Sequence, residues 1–164
     1  MIKQVSSKAD IKIVAILAHK IWNQHYVPII GQDQVDYMVA KFQSESSISN
    51  QLKEGYLYFL IEYENKACGY LALDPNQETR KLMISKIYVD VDFRGHQLGA
   101  KLLEFTLEKA INKGFKTIWL TVNKNNINSI RWYQKKGFEI KDKIQIDIGN
   151  GFIMDDYLLE KTVD

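Results

Sequence analysis

Two stretches of the chain carry residue types that could do chemistry. In the first, KIYVDVDFRGHQLGAKLLEFTLEKA (residues 86–110), a strand-like alternation passes through Arg94, Gly95, His96, Gln97, Leu98, Gly99 and Ala100 into a pattern with helical spacing. A bend at the C-terminal end of a strand that opens a helix leaves several backbone N–H groups pointing outward, and the helix dipole adds positive potential there. Gly95 lets the chain turn and a ligand come close, Gly99 keeps a side chain out of the first helical turn, and Arg94 adds a permanent charge. Such a turn suits an anion. Taken alone it also reads as a tight strand-to-helix turn with two convenient glycines. The G-x-x-x-x-G-K-S/T phosphate loop is missing. So is the three-glycine dinucleotide pattern with an acid about 20 residues on, where Lys116 to Leu120 lie.

The second stretch is NNINSIRWYQKKGFEI (residues 125–140), in which Asn126 and Tyr133 stand two helical turns apart and share a face, with Ser129 and Ile130 between them. A tyrosine near the end of a short helix could offer its hydroxyl to a reacting centre as a general acid. The alternative is that Asn125 or Asn126 caps the helix, Tyr133 packs on a sheet and Gly137 is a left-handed stop. Lys135 could approach a phosphate, although Lys135 and Lys136 also read as solvated surface charges. For a general base the candidates are Glu62, Asp90, Asp155 or a water chain, and His96 reads as exposed or phosphate-adjacent instead. Near the C-terminus, Asp155-Asp156 could attract a cationic amine, or could form a solvated strand edge that resists aggregation.

The elements that must position these residues alternate in type. Residues 1–6 predict a short strand, and Ser7 with Asp10 predicts a capping box that opens a helix. Ile11, Val14, Ala15, Ala18, Ile21 and Trp22 share one helical face as far as the break at Pro28. A second amphipathic segment, 32–43, carries Val35, Met38, Val39 and Phe42, and the serine-rich 44–51 predicts a loop. YLYFLIEY and ACGYLALD predict strands joined across Glu64-Asn65-Lys66, and Asp74-Pro75-Asn76 predicts the turn before a long strand, 80–90. Helix 98–113 follows, its buried side read as Leu98, Leu102, Leu103, Leu107, Ala110 and Ile111, with Gly114 as its stop. Strand 116–122, helix 126–136 and strands 138–147 and 151–160 complete an α/β (α+β) order of β-α-α-β-β-β-α-β-α-β-β.

At 164 residues with 46% hydrophobic content the chain predicts a single domain. A net charge of +2, with no run of five or more like charges, points to neither a nucleic-acid nor a membrane partner. The N-terminal segment lacks a signal-peptide pattern and no stretch is apolar enough to span a bilayer, so a cytoplasmic location is expected. The single cysteine, Cys68, excludes an internal disulfide framework and a cysteine-rich zinc site, and reads as a small buried hydrophobe. No metal is expected.

Together, R-G-x-x-x-G-A before a Leu-Leu helix and then N-x-x-S-x-x-x-Y-x-x-x-G-F resemble the acetyl-CoA-binding core of the GNAT superfamily of N-acetyltransferases, closely over roughly residues 84–140. The resemblance implies a GNAT-like fold with a mixed, mostly antiparallel sheet of about seven strands flanked by about four helices. It implies that the backbone of Ile87, Tyr88 and Val89 pairs with the pantetheine arm of acetyl-CoA, and that the amides from Gly95 to Ala100 hold its pyrophosphate, with Arg94 opening the motif. Asn126 and Ser129 would face the cofactor, and Tyr133 would protonate the departing thiolate. Where the family pattern, Gln/Arg-x-x-Gly-x-Gly/Ala, has its first glycine, this chain has Gln97, whose amide is expected to point at phosphate if its φ is negative. The bacterial polyamine acetyltransferases, which the chain also resembles through Gly149, Met154, Asp156 and Lys161, carry a glutamate on the strand before the bend; the matching position is Ser85.

The implied reaction is direct transfer of the acetyl group to a primary amine of a small molecule, a polyamine foremost, with a protein N-terminus or lysine as the alternative acceptor. A non-catalytic acyl-CoA sensor on the same fold is the alternative of another class. Trp22, Tyr26, Tyr37 and Met38 are the acceptor-pocket candidates, and the exposed terminal strands are compatible with a homodimer.

Overall fold

Ser7 opens the first helix as its spacing predicts. Its Oγ accepts the Asp10 amide at 3.1 Å while the Asp10 carboxylate accepts the Ser7 amide at 3.3 Å. The Lys3 ammonium donates to the same carboxylate at 2.9 Å. With the amides of Ser6 and Ser7 it holds the Asp10 pKa down at about 2.

The computed structural model describes residues 1–163. In chain order its elements are β1 (Ile2–Gln4), α1 (Lys8–His25), α2 (Val27–Ile30), α3 (Gln32–Phe42), α4 (Glu45–Lys53), β2 (Leu57–Tyr63), β3 (Lys66–Asn76) and β4 (Lys81–Val89). A 3-10 turn (Val91–Phe93) follows, then α5 (Leu98–Asn112), β5 (Thr117–Asn123), α6 (Ile127–Lys135), β6 (Glu139–Gly149) and β7 (Phe152–Thr162). The strands form a sheet in the order β1-β2-β3-β4-β5-β7-β6. The β4–β5 pair is parallel, as a helical crossover requires, and the pairs β1–β2, β2–β3, β5–β7 and β6–β7 are antiparallel. No helix among the described residues is long and apolar enough to cross a membrane.

By contacts the chain forms two compact units, residues 1–75 with 85–106, and residues 76–84 with 107 onward. In the first, α1 buries Val14, Leu17, Ala18, Ile21 and Trp22. The β2–β3 hairpin turns through Glu64 and Asn65, both at positive φ (49° and 64°), the geometry that suits a right-twisted two-residue turn. Gly69 on β3 has to be glycine: a Cβ there would lie 2.6 Å from the Tyr88 carbonyl oxygen and 3.2 Å from Val89 Cγ2, on the segment that leads to the bend. Its neighbour Cys68 is buried and donates to the Ile61 carbonyl, and burial pushes its thiol pKa up, as suits a packed hydrophobe. In the second unit, β5 pairs with β7 from Thr117↔Thr162 to Asn123↔Asp156, and β6 flanks β7.

Four local expectations are corrected. Residues 44–51 are not a loop: Ser44 caps α4 by accepting the Ser47 amide at 3.2 Å, and Ile48 is fully buried. With α4, and with Pro28 placed in the first turn of the short α2, the helices among the described residues number six, where about four were expected. β3 runs on through Asp74-Pro75-Asn76, and the chain turns only afterwards, with Arg80 at φ 53°. On α5, Ile111 is half exposed, while Thr106 is fully buried and donates to the Leu102 carbonyl at 2.8 Å.

One buried side chain breaks the apolar face of β4. Lys86 continues the row Leu82, Ile84, yet it is 6% exposed. Its Nζ donates to the Phe42 carbonyl at 2.9 Å, to Gln51 Oε1 at 3.0 Å and to the Tyr58 hydroxyl, so it binds the end of α3, α4 and β2 with no carboxylate among its partners. Burial lowers its pKa from 10.5 to about 7. Below that value folded and unfolded chains are both protonated, and the cost of burying the ammonium is felt in full. Between about 7 and 10.5 the folded chain alone has lost the proton, so stability rises with pH. Lys86→Met should stabilise the chain at pH 6 by roughly the 1–4 kcal/mol typical of replacing buried charge by apolar volume. The gain over wild type should shrink steadily toward pH 10 in denaturant melts.

Candidate active site

Asp90 ends β4 and sets the start of the bend. Its amide bonds the Cys68 carbonyl at 2.8 Å. Its carboxylate takes Lys20 Nζ at 2.6 Å, the Asp92 amide at 3.0 Å and Gln24 at 3.4 Å. Burial drives its pKa up, but the Lys20 ammonium and the two amides win and hold it below the usual carboxylate range. A carboxylate so engaged is an anchor, which counts against Asp90 as the base.

After the 3-10 turn, Arg94 is extended and exposed, and Gly95 takes φ 89° with open space where a Cβ would sit. Helix α5 starts at Leu98, and its first backbone bond runs from the Lys101 amide to the Gln97 carbonyl at 3.0 Å. The amides of Leu98, Gly99 and Ala100 therefore belong to the unpaired first turn. Beside Arg94 they fit an anion. Gln97 does not take the negative φ expected of it. It lies at φ 56°, the left-handed region that the family's glycine serves without strain. His96 is exposed and stacks on Tyr63, ring centroids 4.1 Å apart. Ile87, Tyr88 and Val89 are half buried at the end of β4, so residues 87–100 form one continuous candidate segment in the first unit.

The acceptor-pocket candidates lie in the same unit and are mostly core. Trp22, Tyr26 and Met38 are buried and Tyr37 is half buried. Trp22, Tyr26 and Tyr70 pack around Tyr88, whose hydroxyl meets that of Tyr26 at 3.1 Å.

In the second unit Asn126 precedes α6. It is 3% exposed, and its side chain makes no capping bond, although it occupies the cap position. Tyr133 is buried, edge-on to Trp132 and Phe138. Ser129 is half buried and Lys135 exposed. Gly137, at φ 95°, stops the helix as expected.

Of the paired acids, Asp155 forms an ion pair with Lys124. It lines a cavity of about 480 Å³ with Lys124, Lys143, Gln145 and Tyr157. With two lysines beside one carboxylate, the surroundings of Asp155 favour the solvated edge of the two alternatives over attraction of a cation. Asp156 is 7% exposed and points to the other face of β7. Burial is the largest influence on it and raises its pKa to about 6, with the nearby Thr121 hydroxyl pulling the other way. Glu62 is half buried on β2.

The acetyltransferase (GNAT) family profile matches residues 19–138. An uncharacterized N-acetyltransferase of Methanocaldococcus jannaschii is 33% identical over 54% of this chain, though the match spans only 41% of that protein. One of Lactobacillus delbrueckii is 26% identical over 99% of this chain and 96% of its own length. The ribosomal protein bS18-alanine N-acetyltransferase of Escherichia coli is 28% identical over 58% of this chain and 63% of its own. A probable spermine N(1)-acetyltransferase of Bacillus subtilis subsp. natto is 23% identical over 72% and 81%. Among solved structures, the PaiA N-acetyltransferase of Thermoplasma acidophilum in complex with coenzyme A superposes with a TM-score of 0.82 at 18% identity, covering 99% of both chains.

Gln97→Gly should keep coenzyme A affinity within about twofold and leave thermal stability equal or higher, because the roughly 1–2 kcal/mol of left-handed strain it removes offsets glycine's extra unfolded-state freedom. Gln97→Val, β-branched at positive φ, should lower the melting temperature and weaken coenzyme A in calorimetry.

Proposed function

The chain belongs to the acetyltransferase (GNAT) family, and from that premise we propose that it transfers the acetyl group of acetyl-CoA directly to a primary amine, with a small polyamine as acceptor. The observation that carries this reading is the bend at 94–100, where the first-turn amides of α5 and Arg94 gather on the glycine-shaped turn that the family uses for pyrophosphate.

The thioester supplies an activated acetyl group; the chain supplies binding, alignment and proton transfer. In the proposed roles the backbone of Ile87, Tyr88 and Val89 guides the pantetheine arm, and the amides of residues 95–100, including His96, Gln97 and Leu98, receive the pyrophosphate. Asn126 and Ser129 face the cofactor, with Lys135 as an outer phosphate contact. Tyr133 donates its proton to the departing thiolate. Its burial, with one side against aromatic neighbours, supports a fixed hydroxyl position.

The polyamine assignment is supported by the distant spermine acetyltransferase relative, and acetylation of a protein N-terminal amine by the bS18-alanine acetyltransferase relative. A single domain, a cytoplasmic location and a homodimer belong to the same proposal. For the homodimer, the supporting observation is the outer strand β6 with Ile140 and Ile146 exposed.

The test is thiol release from acetyl-CoA with spermidine, spermine, lysine and alanyl peptides as acceptors. Turnover of the polyamines is expected, and turnover of peptides alone would move the assignment to protein N-termini. Tyr133→Phe should lower kcat about 100-fold or more while coenzyme A affinity stays unchanged. An unchanged kcat would remove the tyrosine from its role, and a wild-type chain that binds acetyl-CoA without turning over any amine would be a sensor.

A further inference from the structure

Acetylating an amine that is protonated in water requires a group that takes its proton, and the named carboxylates divide on this point. Asp90 is neutralised by Lys20 and Asp155 by Lys124. Asp156 is the buried acid in the second unit, and among the described residues no Lys, Arg or His pairs with it.

On β5 Asp156 faces Asn123, with Thr121 two residues away on the same face. On β6 it faces Ile144, and the diagonal neighbour Asp142 is exposed. On β7 itself, Asp155 is turned to the opposite face, and Glu160 is paired with Lys81. A carboxylate enclosed by a hydroxyl, an amide and apolar groups lacks a cation, and an ammonium ion is the ligand that would complete it. The strand it faces, β5, leads directly into the loop and helix that carry Asn126 and Tyr133.

We infer that Asp156 is the proton acceptor of the reaction, holding the acceptor's ammonium and taking its proton as the nitrogen attacks. This deepens the acetyltransferase reading and rests on it. The bond formed joins the amine nitrogen to the acetyl carbonyl carbon, and the bond broken is carbon to sulfur. The ammonium gives one proton to the Asp156 carboxylate, which frees the nitrogen lone pair for attack; the second N–H proton passes to water as the tetrahedral intermediate collapses, the thiolate takes the Tyr133 proton, and exchange with water resets the tyrosinate and Asp156. With a pKa near 6, Asp156 is ionised at neutral pH and close to the value at which a general base works best.

The linkage provides a readout independent of turnover. The folded chain keeps the Asp156 proton up to about pH 6, whereas the unfolded chain loses it near 3.8, so stability falls as pH rises through that window and the full cost is present above it. Asp156→Asn should therefore raise the melting temperature at pH 8 and change it little at pH 4. Its kcat/KM should fall 100-fold or more, the acidic limb of the pH profile near 6 should vanish, and acetyl-CoA affinity should be unchanged. Asp156→Glu should recover part of the activity together with an acidic limb.

An Asn variant that is less stable at pH 8 and keeps the wild-type limb would overturn the assignment and leave Asp156 a structural group. A wild-type chain that acetylates no amine would bring down the acetyltransferase reading and this assignment with it, whereas turnover with an unaltered Asn profile would overturn the assignment alone.

Discussion

The first unit turns on what Asp90 does at the end of β4. A strand that hands over to a helix across a few residues needs its last residue fixed in both backbone and side chain, or the amides of the bend have no defined direction. Asp90 meets both demands. Its amide stays in register with β3 at Cys68, while its carboxylate reaches Lys20 and Gln24 on α1 and the amide of Asp92. The close approach of Gly69 to the Tyr88 carbonyl fixes the same segment from the β3 side. Gln97 can then be held at positive φ, because the structure on either side of it is set by stronger interactions.

The placement of charge follows a division of labour. Asp10, Asp90 and Asp155 each face a lysine. Lys86 and Asp156 are buried without an opposite charge, one in each unit, and burial drives both toward their neutral forms near physiological pH. Lys86 has neutral acceptors around it from α3, α4 and β2, which satisfy an amine of either charge. Asp156 faces Asn123 and Ile144 with no cation beside it, and the proposed ammonium is the group that would complete its surroundings.

What could be read from the sequence was what is local. The bend at 94–100 and the helix from Asn126 to Gly137 declare themselves through glycine placement and helical spacing, and the strands from β2 onward through their alternation. The stretch 44–51 misled because serine composition suits a loop, yet Ser44 caps a helix whose Ile48 is buried by tertiary packing. The Asp-Pro pair at 74–75 suggested a turn, but the strand runs past it. Lys86 carried no local signal, since its partners come from residues 42, 51 and 58. Strand alternation puts Asp155 and Asp156 on opposite faces, but which of them is buried depends on how β5 and β6 flank β7.

The proposed function stands on the bend at 94–100 and the helix it opens acting as a cofactor cradle. The measurement that tests it most directly is calorimetric titration of acetyl-CoA into the wild-type chain, with dephospho-coenzyme A and pantetheine as controls. Saturable binding of one acetyl-CoA per chain is expected, little affected by removing the 3′-phosphate and largely lost with pantetheine, which lacks the pyrophosphate. Absence of binding, or equal binding of pantetheine, would contradict it.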